Sequence, residues 1–161
     1  MERLLGTLTF VSALGTGLVA GLFFAFSAFV MTALSRLPAE QGIAAMQSIN
    51  VTVLNPWFNT VFFGSALTSV VLIIVSFFRW GEAGVIYLLA GSLLYLVGSF
   101  LVTAVFNVPL NDMLAAVDPA STEGAELWTR YIADWTAWNT VRTVASLAAL
   151  ASFIAAFRMG E

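Results

Sequence analysis

Four long apolar stretches divide the chain, and short polar breaks separate them. The first, Leu4 to Leu34, contains no charged residue. As a helix it would extend about 45 Å, longer than the roughly 30 Å hydrocarbon layer of a bilayer, so it must tilt or protrude. A secretory signal peptide has an apolar core of only about 7 to 15 residues, so this stretch is expected to be a permanent, uncleaved span despite Arg3 ahead of it. A second span is predicted over 57–78 and a third over 84–106. The tight Arg79-Trp80-Gly81-Glu82 connection makes these two an antiparallel hairpin. Residues 107–133 hold the only long polar stretch, with Asp112, Asp118, Glu123 and Glu126. Ser121-Thr122-Glu123 offers an N-cap for the last helix, which crosses the membrane over 134–157.

These elements predict an all-α fold: an integral membrane, left-handed antiparallel four-helix bundle with a polar cap between spans three and four, forming one domain over residues 1–161. Four spans place both termini and the Arg79 turn on one side. The connection from Pro38 to Pro56, read as a loop, then shares the other side with the 107–133 stretch.

Composition agrees with lipid as the solvent, since 60% of residues are hydrophobic and 9% charged, against roughly a quarter charged in soluble domains. Arg3, Arg79 and Arg158 on the terminal side outnumber Arg36 and Arg130 on the other, which favours cytoplasmic termini in the cell membrane. A net charge of -3 excludes nucleic acid as a partner. With no cysteine and no histidine, the sequence lacks the usual ligands for iron–sulfur clusters, haem, zinc or copper, and no metal site is expected. Glu123 and Glu126, one helical turn apart, read as a solvated surface. Gly17, Gly21 and Ala25 recur every fourth residue, a spacing that lets helices approach closely, within the bundle or in a homo-oligomer.

Candidate chemistry gathers on the last helix. Trp128, Tyr131, Trp135, Trp138, Asn139, Arg142 and Ser146 are spaced by threes and fours and share a face. An interfacial aromatic belt accounts for Trp128. Arg142 lies about 10 Å deeper than Trp135, where a guanidinium needs a partner or a water-filled cavity. The topology brings Asn50, Asn55, Asn107, Asn111 and Asp112 to the same end, so Arg142 is expected to bond one of them. Asn55-Pro56 and Asn107-Val108-Pro109 are expected to break their helices at this level.

Phe106-Asn107-Val108-Pro109-Leu110-Asn111, then Trp128, Tyr131, Trp135, Trp138-Asn139 and Arg142-Thr143, resemble a family of small membrane proteins whose named members are anthrone oxygenases. Gly21-Leu22-Phe23-Phe24-Ala25-Phe26, Met46-Gln47, Asn50 and Asn55-Pro56 extend the resemblance into the first half. It implies oxidation of an anthrone-type phenol to a quinone by dioxygen, without metal or flavin. An anthrone anion reduces dioxygen by itself, so such a protein need only bind flat rings and stabilise the anion. On this reading Arg142, Asn139 and Asn107 are catalytic, while Trp135, Trp138, Tyr131, Asn50, Asn55, Asn111 and Asp112 bind a hydrophobic small molecule. Two other functions fit the same composition: a non-enzymatic accessory or scaffold subunit of a membrane complex, and a lipid- or quinone-binding protein.

Overall fold

A computed structural model describes residues 2–160 of the chain. It contains α1 (Glu2–Ser35), α2 (Ala39–Thr52), α3 (Pro56–Phe78), α4 (Val85–Ala115) and α5 (Thr122–Met159). All but α2 are long and apolar enough to cross a membrane. Around the bundle α1 packs on α3 and α5, and α4 packs on the same two helices. Large apolar side chains such as Leu18, Phe24, Leu67, Phe77 and Val144 cover the outside. Serines and threonines are buried within, an arrangement suited to a lipid solvent. The chain is a multi-pass helical membrane protein.

The hairpin between α3 and α4 turns at Gly81 and Gly84, both at positive φ, which glycine adopts without a Cβ clash. Gly84 also sits against α5: a Cβ there would come 3.0 Å from the Ala156 carbonyl oxygen. Arg79 bridges Glu82 and Glu2, which places the start of α1 beside this turn. Hydrogen bonds to Glu82 and then Glu2 hold its guanidinium above the ordinary arginine range. The start of α1, the end of α5 and the turn therefore share one end of the bundle.

At the other end α2 is the element that the loop reading of 38–56 did not foresee. Its Gly42, Ile43 and Met46 face inward, and Gln47 Nε2 donates to the Leu114 and Val117 carbonyls at 2.8 and 3.1 Å. Gly42 allows the close approach, since a Cβ would lie 2.8 Å from the Trp128 ring and 3.1 Å from the Leu34 carbonyl oxygen. Gly42→Val should therefore lower thermal stability by about 1 to 3 kcal/mol through overpacking, measured as an earlier melt in detergent. Trp128 is consequently not an interfacial belt residue; it is buried beneath α2 and stacks on Tyr131 at 5.6 Å.

The 107–133 stretch is ordered and largely helical, as the end of α4 and the start of α5. Ser121 caps α5 by accepting the Gly124 N–H at 2.9 Å. Asn55 does the same for α3, accepting the N–H groups of Trp57 and Phe58 at 3.0 and 3.1 Å, with Pro56 in the first turn. Asn55→Ala should cost about 1 kcal/mol, as lost caps do, and leave activity unchanged; an activity loss at full stability would contradict the capping role.

Pro109 does not break α4. Its helix widens into π-helical turns over Leu96–Leu101 and Thr103–Asn107 and then continues to Ala115. Tyr95, Ser99, Thr103, Asn107 and Asn111 recur at every fourth residue. In a regular α-helix such a row drifts about 40° per step around the axis. π turns take up an extra residue and cancel that drift, so the row stays on the inner face.

Candidate functional site

Two apolar cores meet midway along the bundle. One, toward the chain ends, contains Phe62, Leu72, Tyr95 and Phe153; the other, under α2, contains Ile43, Met46, Trp128 and Tyr131. Arg142 lies where they meet, 4% exposed. Its guanidinium rests over the rings of Phe23 at 4.1 Å and Trp135 at 5.1 Å, a cation–π arrangement strengthened by desolvation.

Its hydrogen-bond partners differ from those expected. Arg142 Nη2 donates to Asn139 Oδ1 at 2.7 Å, and Nη1 donates to Thr103 Oγ1 at 3.1 Å. None of Asn50, Asn55, Asn107, Asn111 or Asp112 bonds it. The reason is depth: those groups sit one or more turns nearer the α2 end, whereas the widened turn of α4 brings Thr103 inward at the level of Arg142. Each terminal nitrogen keeps a second N–H.

Asn139 is fully committed. Its Nδ2 donates to the Phe23 carbonyl and to Ser27 Oγ, both at 2.7 Å, while its oxygen accepts from Arg142. With both amide hydrogens used, it has none to offer a ligand and acts by fixing the guanidinium. Asn107 is likewise structural in its contacts. Its Nδ2 donates to the Trp135 carbonyl at 3.2 Å, tying α4 to α5 away from the cavity.

A cavity of about 350 Å³ opens beside Arg142, within the usual range for ligand pockets. Leu22, Phe23 and Phe26 of α1 and Phe58 of α3 supply apolar walls. From α2 come Met46, Gln47 and Asn50, and from α4 come Thr103, Asn111 and Asp112. Trp135 and Arg142 close the inner side. Val51 and Leu54 line the mouth and are exposed.

Asn111 is oriented by its neighbours. Its Oδ1 accepts from Tyr131 Oη and Trp135 Nε1, each at 2.8 Å. An indole N–H can only donate, so the atom facing Trp135 must be the amide oxygen, and the NH2 group points the other way. Asn50 Nδ2 lies 3.5 Å from Tyr131 Oη, at the limit of a hydrogen bond. Tyr131 therefore organises amides and does not itself line the cavity.

Trp138 and Asn55 stand apart from this site. Trp138 stacks on Phe106 at 3.6 Å on the half-exposed side of α5, and Asn55 serves the α3 cap. Phe23, Phe26 and Thr103, which touch or face Arg142, were not foreseen as site residues. Only the four-residue spacing in α4 hinted at Thr103. A second cavity of about 250 Å³ lies at the opposite end, but its only guanidinium, Arg79, is already paired with Glu2 and Glu82.

Fold and site together define a small four-span membrane protein with an aromatic-walled cavity bordered by the polar side chains of Gln47, Asn50, Asn111, Asp112 and Arg142. A family model described as anthrone oxygenase matches residues 57–152, more than half of the chain, and the chain belongs to that family. The α1 and α2 walls of the cavity, including Phe23, Phe26 and Asn50, lie outside the matched residues. No curated protein and no solved structure matches.

Proposed function

We propose that this protein oxidises a planar, lipophilic, anthrone-type phenol to a quinone in the membrane, using dioxygen and no cofactor. The observation that carries the reading is a desolvated guanidinium with uncommitted N–H groups at the wall of an aromatic cavity of ligand size. Anthrone loses a proton from its methylene carbon, and the negative charge moves onto the ketone oxygen. Arg142 and the Asn111 amide donate to that oxygen, as preorganised donors do in an oxyanion hole. Asp112 at the cavity wall receives the proton. The anion gives electrons to dioxygen, the carbon forms a bond to oxygen, and the peroxide anion so formed takes the proton back from Asp112. Loss of the elements of water from the resulting hydroperoxide leaves the second carbonyl. One oxygen atom ends in the quinone and one in water, so no further reductant is consumed.

Trp135 and Phe26, whose rings lie 5.5 Å apart, provide flat apolar surface for the rings of such a substrate. On this reading the termini lie in the cytoplasm and the cavity mouth toward the other face of the cell membrane, an orientation that the three-to-two arginine distribution favours. A C-terminal alkaline phosphatase fusion that is active would reverse that orientation.

Purified protein in detergent, supplied with anthrone and oxygen, should form quinone faster than buffer or empty detergent does, followed by absorbance. Tight binding of anthrone without quinone formation would instead make the cavity a binding site for lipophilic rings, and the enzymatic reading would fail.

A further inference from the structure

The α2 wall of the cavity carries two amides whose neighbours decide which end of each is free. Gln47 Nε2 donates to two backbone carbonyls, that of Leu114 at 2.8 Å and that of Val117 at 3.1 Å. A carbonyl only accepts, so the group turned to Leu114 and Val117 must be the NH2; exchanging it for the oxygen would set three oxygens together. Neither Leu114 nor Val117 lines the cavity, whereas Gln47 does. Gln47 Oε1 accepts no hydrogen bond among the described residues, and it is not among the side-chain oxygens sealed from solvent. A fixed, accessible acceptor therefore borders the cavity at Gln47.

Asn50 lines the same cavity and is turned in the same sense. The single hydrogen of Tyr131 Oη goes to Asn111, so Asn50 meets that hydroxyl with its NH2, at 3.5 Å, and leaves Oδ1 free. Gln47 is the better fixed of the two, with two bonds of ordinary length against one at the limit. On the α4 and α5 walls the free groups include the Arg142 N–H groups, the Asn111 NH2 and the Asp112 carboxylate. A ketone oxygen or oxyanion of a ligand satisfies the donors among them. It cannot bond Gln47, which needs a hydrogen offered to it.

We infer that Gln47 is a specificity-determining residue: its Oε1 accepts the hydrogen of a phenolic O–H on a planar ring system, so the cavity selects the free phenol over its methyl ether. The role rests on the reading of the cavity as a site for a lipophilic phenol, but not on oxidation taking place there. A neutral amide carbonyl accepts a hydrogen bond without removing the proton, so Gln47 binds and orients and is not a base.

The test uses the full-length protein in detergent with 2-hydroxyanthraquinone and 2-methoxyanthraquinone, ring systems already at the quinone level. The hydroxyl of the first is too far from the ring carbonyls to bond them, and mildly acidic buffer keeps it neutral. Wild-type protein should bind the hydroxyl compound about threefold to tenfold more tightly than the ether, the scale of one hydrogen bond. Gln47→Lys keeps a donor for the carbonyls at the end of α4 but has no acceptor. It should stay folded and lose the preference; micelle partitioning affects both proteins alike and cancels in the comparison. Asp112→Ala should keep the preference, which separates the amide from the nearby carboxylate. A preference that survives in folded Gln47→Lys, or vanishes in Asp112→Ala, would overturn the assignment.

A readout on the wild type covers a lysine variant that does not fold. The chain has two glutamines, Gln41 and Gln47, so glutamine labelled with 13C at Cδ gives two signals, told apart by Gln41→Ala. The hydroxyl compound should move the Gln47 signal downfield, as a carbonyl carbon moves on accepting a hydrogen bond, and the ether should not. An unmoved Gln47 signal, equal shifts from both compounds, or binding of neither would refute the role. Neither compound is turned over, so a failure to form quinone from anthrone would sink the enzymatic reading and leave these results standing.

Discussion

Arg142→Gln should yield a folded protein whose turnover of anthrone falls by about 100-fold or more, the scale on which losing one preorganised donor acts. The fold should tolerate the change because most partners of Arg142 have a second bond. Thr103 Oγ1 also donates to the Ser99 carbonyl at 2.8 Å, and Asn139 Nδ2 keeps the Phe23 carbonyl and Ser27. Only the oxygen of Asn139 and the surface over Phe23 and Trp135 lose a partner, a loss of about 1 to 3 kcal/mol that is partly offset because no charge remains to be buried. Arg142→Lys should recover part of the activity, since an ammonium keeps the charge but cannot reach Thr103 and Asn139 together as a planar fork does. Trp57→Phe is the matched control: Trp57 is 86% exposed at the start of α3 and touches no part of the site. Parallel melts and quinone assays check the expectation. Near wild-type turnover in a folded Arg142→Gln protein would remove Arg142 from the chemistry.

A pair of substitutions at Asn111 should separate packing from catalysis. Asn111→Ala strips Tyr131 Oη and Trp135 Nε1 of their common acceptor. Tyr131 is 0% exposed and Trp135 5%, so two buried donors lose their bonds and stability should fall by roughly 2 to 5 kcal/mol. Asn111→Asp keeps an oxygen for both donors, and the melt should stay close to that of the wild type. It replaces the NH2 group that faces the cavity with a second carboxylate oxygen, which repels a developing oxyanion. Turnover should then fall by about 100-fold. If Asn111→Asp retains full activity, the amide is a structural hub and gives nothing to the substrate.

Much of this arrangement could be read from residue order because helix geometry and lipid constrain it directly. Runs of about 20 apolar residues must span, and the short Arg79 to Glu82 connection must reverse the chain. A charge within a span must face inward, which fixed the Trp128, Tyr131, Trp135, Asn139 and Arg142 stripe by its spacing alone. The same geometry explains Trp138, which lies about 60° from the centre of the buried stripe and so reaches Phe106 on the outer side. The helical nature of α2 was less legible, because it is short and only one of its faces is apolar.

Which groups meet Arg142 was decided by tertiary structure. Sequence places Arg142 along its own helix but says nothing of the offset of α4 against α5, and a shift of one turn exchanges Asn107 for Thr103 as the nearest polar side chain. That offset is set by close packing of Gly98 on Ala145 and Gly91 on Phe153, and the inward line of Tyr95, Ser99, Thr103, Asn107 and Asn111 by the π turns. The roles of Asn139 and Asn111 depend on the same contacts. An amide can donate or accept, and only the carbonyl of Phe23 facing one and the indole N–H of Trp135 facing the other determine which end of each is used.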